Sequence, residues 1–215
     1  MRLYLASTSP ARLATLRAAG IEPAGLINPE VDEDAVAAAR ETELGRPLSA
    51  SEMVLLLAQA KAEAVTGHLV DGEPIDGFIV GGDSAFELGG HTHGKPHTPE
   101  VARARWANMV GATGTLHSGH WVIDHRGGIA GTGCGGVDTA QVTFSDTITD
   151  DEVDAYIATR EPLAVAGAFT LDSRGAAYIS RIDGNPSTVI GISIPLLRTL
   201  IQEHFGTPWH TLWNR

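Results

Sequence analysis

A short Ser-rich segment near the N-terminus has the composition of a phosphate-binding turn. Ser7 and Ser9 precede Pro10, and Arg12 follows in the first turn of a predicted helix. A helix N-terminus presents unpaired backbone N–H groups and the positive end of the helix dipole to one point. The serine hydroxyls and the Arg12 guanidinium would add donors there, although capped helix starts of this kind are common without any ligand.

Two carboxylates have surroundings that suit a metal ligand or a general base. Asp83 follows the apolar segment 78–80 and two glycines, so we expect it at the carboxyl end of a strand, where α/β folds place their chemistry. Glu33 belongs to the acidic run 30–34, which we interpret as a loop. A turn aspartate that satisfies local amides and a solvated acidic loop are the alternatives.

The two lysines, Lys61 and Lys95, are unusual because the other thirteen basic residues are arginines. A compact ammonium where the chain otherwise uses arginine indicates a point-charge contact, such as one to phosphate. Lys95 also lies between Gly94 and Pro96, in a predicted rigid turn. With two residues only, chance stays an alternative.

Composition excludes several classes of function. The net charge of −11 argues against binding of DNA or RNA, which needs extended basic surface. The single cysteine, Cys134, excludes a disulfide framework, and His117 and His120 have a zinc-like spacing that we interpret as an exposed loop. No apolar run approaches the roughly 20 residues that span a bilayer, and no signal-peptide pattern follows Met1. We therefore expect a cytoplasmic protein with no membrane partner.

The elements that must position these residues alternate between strand and helix patterns. Their length and composition predict a single α/β domain over residues 1–215, bent into two lobes around a cleft. Strands are predicted at 3–6, 21–27, 78–80, 166–171 and 176–182, with a long hairpin within 116–144. Helices are predicted at 11–19, 35–44, 51–66, 99–110, 150–158 and 192–205.

These motifs, in their order and spacing, resemble the Maf family of nucleotide pyrophosphatases, whose fold is shared with the inosine-triphosphate pyrophosphatases. The resemblance runs through nearly the whole chain. Its fragments are LASTSPAR at 5–12, VDE at 31–33, AQAKA at 58–62, VGGDS at 80–84, GKP at 94–96, EPL at 161–163, AGAF at 166–169, IDGN at 182–185 and VIG at 189–191.

The resemblance implies a mixed, twisted central sheet with flanking helices, and cleavage of a nucleoside triphosphate between its α- and β-phosphates. It implies a divalent cation, Mg²⁺ or Mn²⁺, held by Glu33 and Asp83, with Asp83 also accepting the proton of the attacking water. The groups it implies for the triphosphate, together with Ser7 of the same turn, are Ser9, Arg12, Lys61 and Lys95.

The chain departs from the family pattern at positions linked to base selection. Ala11 replaces the first of two arginines, Ser84 replaces a frequent threonine, and Asp172 replaces a glutamine; Val165 also stands where the family has a lysine. Aspartate at 172 offers only acceptors, which favours a base with an N–H group or leaves the pocket permissive. We therefore predict a nucleoside triphosphate as substrate, without assigning its base.

Two other functions are compatible with the same residues. One is a nucleotide-binding regulator of cell division without turnover, because the resembled family is also associated with inhibition of septum formation. The other is a phosphatase that acts on phosphate monoesters.

The apolar tail 208–213 further suggests a homodimer.

Overall fold

Strands and helices alternate through residues 1–214, the part of the chain that the computed structural model describes. The strands are β1 (Leu3–Ala6), β2 (Gly25–Leu26), β3 (Leu69–Val70), β4 (Glu73–Pro74), β5 (Gly77–Leu88), β6 (His91–His93), β7 (Thr113–His125), β8 (Gly133–Phe144) and β9 (Ile179–Asp183). The α-helices are α1 (Pro10–Ala18), α2 (Glu33–Leu44), α3 (Ala50–Ala64), α4 (Pro99–Met109), α5 (Asp150–Ala158), α6 (Pro186–Ile190) and α7 (Ile194–Thr199). None of the helices within residues 1–214 is both long and apolar enough to cross a membrane.

A seven-stranded mixed sheet forms the centre of the fold, as predicted. Its strand order is β2-β1-β5-β7-β8-β9, with β6 paired to β5. β1 is parallel to both β2 and β5, whereas β6 and β9 are antiparallel to their neighbours. β3 and β4 form a separate two-stranded sheet.

Two compact units divide the chain by their internal contacts. Unit 1 comprises Met1–Asp83, Ser118–Asp138 and the chain from Gly191 onward, and unit 2 comprises Ser84–His117 and Thr139–Ile190. Strands β5, β7 and β8 each contribute residues to both units. The interpretation of residues 1–215 as one domain with a cleft stays a prediction.

The start of unit 1 forms as its sequence predicts. β1 is fully buried, and Ser9 caps α1 by accepting a hydrogen bond from the backbone N–H of Arg12 at 3.4 Å. Pro10 occupies the first helical turn, where its missing N–H costs nothing. Gly20 then ends the helical segment with a φ of 80°, a left-handed conformation that glycine adopts without strain.

Glycine at position 81 lets helix α3 lie directly against strand β5. A Cβ atom on Gly81 would stand 2.1 Å from the carbonyl oxygen of Ala58. Ala58 and Lys61 lie one turn apart on the same helix face, and Gly81 and Asp83 lie on the same face of β5. The close approach therefore places Lys61 opposite Asp83.

Unit 2 has its own aromatic core. Trp106 is fully buried and its indole N–H donates to the carbonyl oxygen of Ala168 at 2.9 Å. Phe144 and Tyr156 pack edge-on against the Trp106 ring. A buried tryptophan whose polar N–H is satisfied stabilises a core through both its area and its hydrogen bond.

Several predicted elements differ from those observed. The strand predicted at 166–171 is replaced by a 3-10 turn at Ala166–Ala168, because Gly167 and Ala168 both adopt positive φ angles that a strand excludes. The strand predicted at 21–27 is reduced to Gly25–Leu26, since Pro23 has no N–H to donate to a ladder. The short strand β6, which was not predicted, ends just before the turn at Lys95, and the strand predicted at 176–182 begins only at Ile179. The last predicted helix, 192–205, comprises α7 followed by a π-helical turn at Leu200–His204.

Candidate active site

A buried lysine shared between two carboxylates forms the centre of the candidate site. The ammonium nitrogen of Lys61 lies 2.7 Å from Oδ1 of Asp83 and 2.7 Å from Oε1 of Glu33. The side chain of Lys61 is 9% exposed, that of Asp83 is 15% exposed and that of Glu33 is 50% exposed. The cluster is thus closed on the strand side and open to solvent at Glu33.

Both carboxylates lie on elements that differ from those predicted. Glu33 is in the first turn of α2, not in a loop, because Asp32 caps that helix by accepting the backbone N–H of Ala35 at 3.0 Å. Asp83 lies within β5, not at its carboxyl end. The strand continues because Ala85 and Phe86 are buried and need a core to pack into.

Arg12 extends the site from helix α1. Its Nε donates to the carbonyl oxygen of Gly191 at 2.8 Å, and its Nη1 donates to the buried hydroxyl of Ser7 at 3.2 Å. A Cβ atom on Gly82 would lie 3.4 Å from the Arg12 Nε, so the glycine leaves room for this side chain. The predicted residues Ser7, Ser9, Arg12, Glu33, Lys61 and Asp83 therefore all lie in unit 1 and are connected there by contacts or by charge.

Burial and charge act in opposite directions on this cluster. Burial raises the pKa of the Asp83 carboxyl above its ordinary value, while the positive charges of Lys61 and Arg12 oppose that rise. Burial also lowers the pKa of the Arg12 guanidinium, against the effect of Asp83 and Glu33, but arginine keeps its charge in proteins. A carboxylate that is poorly solvated is a stronger base, which suits the acceptance of a proton.

The carboxylate pair suits a cation that completes its coordination with a substrate. Within residues 1–214 there is no cluster of three or more His, Cys, Asp or Glu side chains placed to hold a metal. Mg²⁺, however, is usually bound through one or two carboxylates together with substrate phosphates and water. Glu33 and Asp83, which both form ion pairs with the Lys61 ammonium, provide such a pair of carboxylates.

Lys95 belongs to unit 2, where its turn is anchored on both sides. The carbonyl oxygen of Gly94 accepts hydrogen bonds from Arg105 and from the backbone N–H of Gly167. The N–H of His97 donates to the carbonyl oxygen of Leu163 at 3.1 Å. The Lys95 side chain itself is exposed, and its participation in the site around Lys61 stays a prediction.

The proposed specificity position Asp172 lies in a loop of unit 2 that is organised by Glu161. The Glu161 carboxylate accepts hydrogen bonds from Tyr156, Thr170, Ser173, Arg174 and the backbone of Gly175. Burial alone would raise the pKa of Glu161, but these donors outweigh it and lower the pKa to about 2. Asp172 itself is exposed in this loop.

The other two proposed specificity positions lie elsewhere. Ser84 is in unit 2, and Ala11 is on α1 beside Arg12. The role of all three residues in base selection stays a prediction.

Three further residues near Arg12 were not among the predicted site residues: His120, Asp138 and Ser193. His120 was expected in an exposed loop but is fully buried on β7, where its Nε2 accepts the backbone N–H of Ser193 at 2.6 Å. The Ser193 hydroxyl donates to Oδ2 of Asp138 at 2.6 Å. The local signal was a serine at the start of a helix, while both of its partners are more than fifty residues away.

Fold and site together define a class: an α/β protein with a buried lysine–carboxylate cluster beside a capped helix start, suited to a phosphate-bearing ligand. A sequence model described as Maf-like protein matches residues 2–204. This chain belongs to the Maf-like family.

Proteins named nucleoside triphosphate pyrophosphatase are similar to it over nearly their whole length. The one from Leifsonia xyli subsp. xyli is 60% identical over 215 residues, covering 100% of this chain and 98% of the relative. The one from Nocardia farcinica is 48% identical over 212 residues, covering 99% and 96%. The one from Salinispora tropica is 44% identical over 215 residues, covering 100% and 88%.

Proposed function

We propose that this chain is a nucleoside triphosphate pyrophosphatase, a hydrolase that converts a nucleoside triphosphate to the monophosphate and pyrophosphate. The observation that carries the proposal is the Lys61 ammonium held 2.7 Å from both Asp83 and Glu33, with Arg12 and Ser7 in the same unit. Such a set combines a desolvated base with fixed cations. Full-length similarity to proteins of that name supports the same activity.

The reaction needs a base for water and positive charge for the phosphates. Asp83 accepts a proton from water as the water oxygen bonds to the α-phosphorus and the bond between that phosphorus and the α,β-bridging oxygen breaks. The leaving pyrophosphate carries away the electron pair of the broken bond as negative charge. Lys61 stabilises that charge, which increases in the transition state, and Arg12 binds phosphate oxygens, because the positions of both cations are fixed before the reaction.

Glu33 and Asp83 are the residues that would hold a divalent cation, Mg²⁺ or Mn²⁺. When bound, such a cation neutralises phosphate charge and polarises the bond that breaks. In the described structure Lys61 occupies the position between the two carboxylates. The ammonium keeps them close together despite their like charge.

The remaining predicted residues would bind the substrate around this centre. We propose that Ser7, Ser9 and Arg12 receive phosphate oxygens at the N-terminus of α1, and that Lys95 adds a further point charge. Ala11, Ser84 and Asp172 would influence which base is accepted; standard, modified and deoxy nucleotides are all candidates. A cytoplasmic location and a homodimer stay predictions.

Measuring the products from a panel of nucleoside triphosphates, with Mg²⁺ or Mn²⁺ present, tests the proposal. We expect equimolar pyrophosphate and nucleoside monophosphate, and loss of both on removal of the cation with a chelator. Asp83→Asn should retain the fold and lose turnover by at least about a thousandfold, because the base is gone. Asp151→Asn, which changes an exposed aspartate of α5, is the matched control and should retain full rate.

Three other outcomes would contradict the proposal or a part of it. Nucleotide binding without any product would indicate the regulator and contradict the enzyme. Release of orthophosphate from monoesters would indicate a phosphatase. Wild-type turnover by Asp83→Asn would remove Asp83 from the mechanism.

A further inference from the structure

The carbonyl oxygen that orients Arg12 belongs to a segment that is fixed on three sides. Gly191, whose oxygen accepts the Arg12 Nε–H, has a φ of 113°, a backbone conformation that side chains disfavour. Ile192 is 1% exposed in the core of unit 1. Ser193 is completely buried, and both its N–H and its hydroxyl are hydrogen-bonded to neighbouring strands.

His120 and Asp138 are the two side chains that hold Ser193. Nε2 of His120, on β7, accepts the Ser193 N–H at 2.6 Å, so the neutral ring carries its proton on Nδ1. Asp138, on β8, accepts the Ser193 hydroxyl at 2.6 Å. The same hydroxyl accepts the backbone N–H of Leu196 at 3.2 Å and caps α7. One serine thus joins two strands and a helix.

We propose that His120 is a positioning residue for Arg12: by fixing Ser193, it fixes the Gly191 carbonyl and so aims the Arg12 guanidinium toward the substrate phosphates. The coupling between His120 and Arg12 follows from the contacts alone, while its effect on phosphate binding depends on the function proposed above. Nothing in the reaction requires His120 to contact substrate.

The chemistry of a buried histidine suits this role. An acceptor for the Ser193 N–H must keep a free lone pair at neutral pH, and a protonated imidazole has none. Burial, and then the positive charge of Arg12, lower the pKa of His120 to about 4. The ring therefore stays an acceptor over the range in which the enzyme would operate, and the guanidinium that it positions contributes to keeping it neutral.

The arrangement differs from simple helix capping, which needs only the Ser193 hydroxyl and the Leu196 N–H. The cap hydrogen bond itself does not involve His120. A strand histidine that binds the backbone N–H of the cap residue fixes the peptide between Ile192 and Ser193. The Gly191 carbonyl oxygen that Arg12 contacts lies one peptide earlier, and the buried Ile192 side chain connects the two.

The coupling can be measured in the nucleotide-free protein by NMR of the arginine Nε–H groups. The Arg12 signal is assigned by its disappearance in Arg12→Lys, and its hydrogen exchange is compared among variants. His120→Leu, which has no acceptor, should accelerate exchange by about tenfold or more through loss of the fixed carbonyl. His120→Gln, which restores an acceptor oxygen, should return exchange toward the wild-type rate. His204→Leu, at an exposed histidine of the same unit, should leave exchange unchanged.

A double-mutant cycle, with pyrophosphate release as the readout, tests the consequence for phosphate binding. His120→Leu should raise KM by about tenfold, the effect of losing a charged hydrogen bond, with a smaller change in kcat. In the Arg12→Ala background the same substitution should leave KM within about twofold, because its target is absent. His120→Gln should restore KM in the otherwise wild-type chain.

Unchanged Arg12 exchange in His120→Leu would overturn the proposal, as would equal effects on KM with and without Arg12. A lowered Tm with wild-type exchange and KM would mean that His120 only supports the fold, which also overturns it. If the wild-type chain releases no pyrophosphate while Arg12 exchange still depends on His120, the proposed function fails and the coupling stands.

Discussion

Lys61 is an ammonium that unit 1 encloses almost completely, and this has a large energetic consequence. A buried charge is tolerated only with partners, and Asp83 and Glu33 provide two. The same contact restrains two like charges that would otherwise repel each other. Substitution of one member therefore changes the energy of the other two.

Lys61→Met should lower the free energy of unfolding by about 3 kcal/mol, because it leaves the buried Asp83 carboxylate without its closest counter-charge. Adding Asp83→Asn to the same chain should recover part of this loss, because the amide has no charge that would be buried without a partner. Urea denaturation of the wild type, both single variants and the double variant measures the coupling. A double variant that is destabilised by the sum of the two single losses would contradict this account.

Individual residues were predictable where their type alone was informative. Lys61 was noticeable because lysine is rare in this chain, and Asp83 because a carboxylate follows an apolar run. His120 and Asp138 were not predictable, since their roles depend on hydrogen bonds to Ser193 across 73 and 55 residues. No local pattern encodes a contact at that separation.

At the scale of elements, the packing of α3 on the sheet determines where Lys61 lies. Gly81 of β5 and Gly119 of β7 both face this helix, and Cβ atoms there would stand 2.1 Å and 2.4 Å from backbone atoms of Ala58 and Val54. Contacts this short to backbone cannot be relieved by a change of rotamer. The helix can approach only because two glycines leave space.

Gly81→Ala should destabilise the protein by about 3 kcal/mol and reduce turnover, because the helix must move away and take Lys61 with it. Gly67→Ala is the matched control: its Cβ would meet nothing within 4 Å, and its stability should change by less than about 0.5 kcal/mol. Thermal unfolding and pyrophosphate release measure the two effects. A Gly81→Ala protein with wild-type stability would show that α3 does not depend on this approach.

Elements were predictable where their signals are local. The helices predicted at 51–66 and 150–158 both form, and each begins with a capping box, Ser49–Glu52 and Thr149–Glu152. The strand predicted at 166–171 was wrong because left-handed residues interrupt it. Asp83 lies inside a long strand because burial of the residues that follow it, a tertiary effect, extends β5 beyond the apolar run.

At the scale of the whole molecule, net charge and one buried histidine respond to acid in opposite ways. The chain carries −11 at neutral pH and has an isoelectric point near 5.1, so mild acid reduces self-repulsion and favours the compact state. His120 opposes this. Its pKa is lowered from 6.5 to about 4 in the fold, so below pH 6.5 the unfolded chain binds a proton that the folded protein does not.

Between pH 6.5 and 4 this difference should lower the free energy of unfolding of the wild type relative to His120→Gln, which cannot titrate. The relative change should reach about 1 to 3 kcal/mol at pH 4. Urea denaturation at a series of pH values measures it, with His204→Gln, at an exposed site, as the control that should show little change. A constant difference between wild type and His120→Gln across this range would mean that His120 titrates normally.

Length, composition and periodicity predicted an α/β fold bent into two lobes, but they did not predict the boundaries of the two compact units. Unit 1 is assembled from three separate stretches of chain and unit 2 from two. Three of the four boundaries fall inside strands β5, β7 and β8, between neighbours such as Asp83 and Ser84, and the fourth lies between Ile190 and Gly191. A boundary within continuous strands has no Gly- or Pro-rich linker to mark it.

The scarcity of lysine gives this protein an internal pair of chemical reporters. Reductive methylation with ¹³C-formaldehyde would label only Lys61, Lys95 and the amino terminus, and thus place one side-chain probe in each unit. Lys95 is exposed and accessible to the reagent. Lys61 is buried, and it should react only when its ion pairs with Asp83 and Glu33 break. The ratio of the two labelling rates therefore reports how often the ion pairs of Lys61 with Asp83 and Glu33 open.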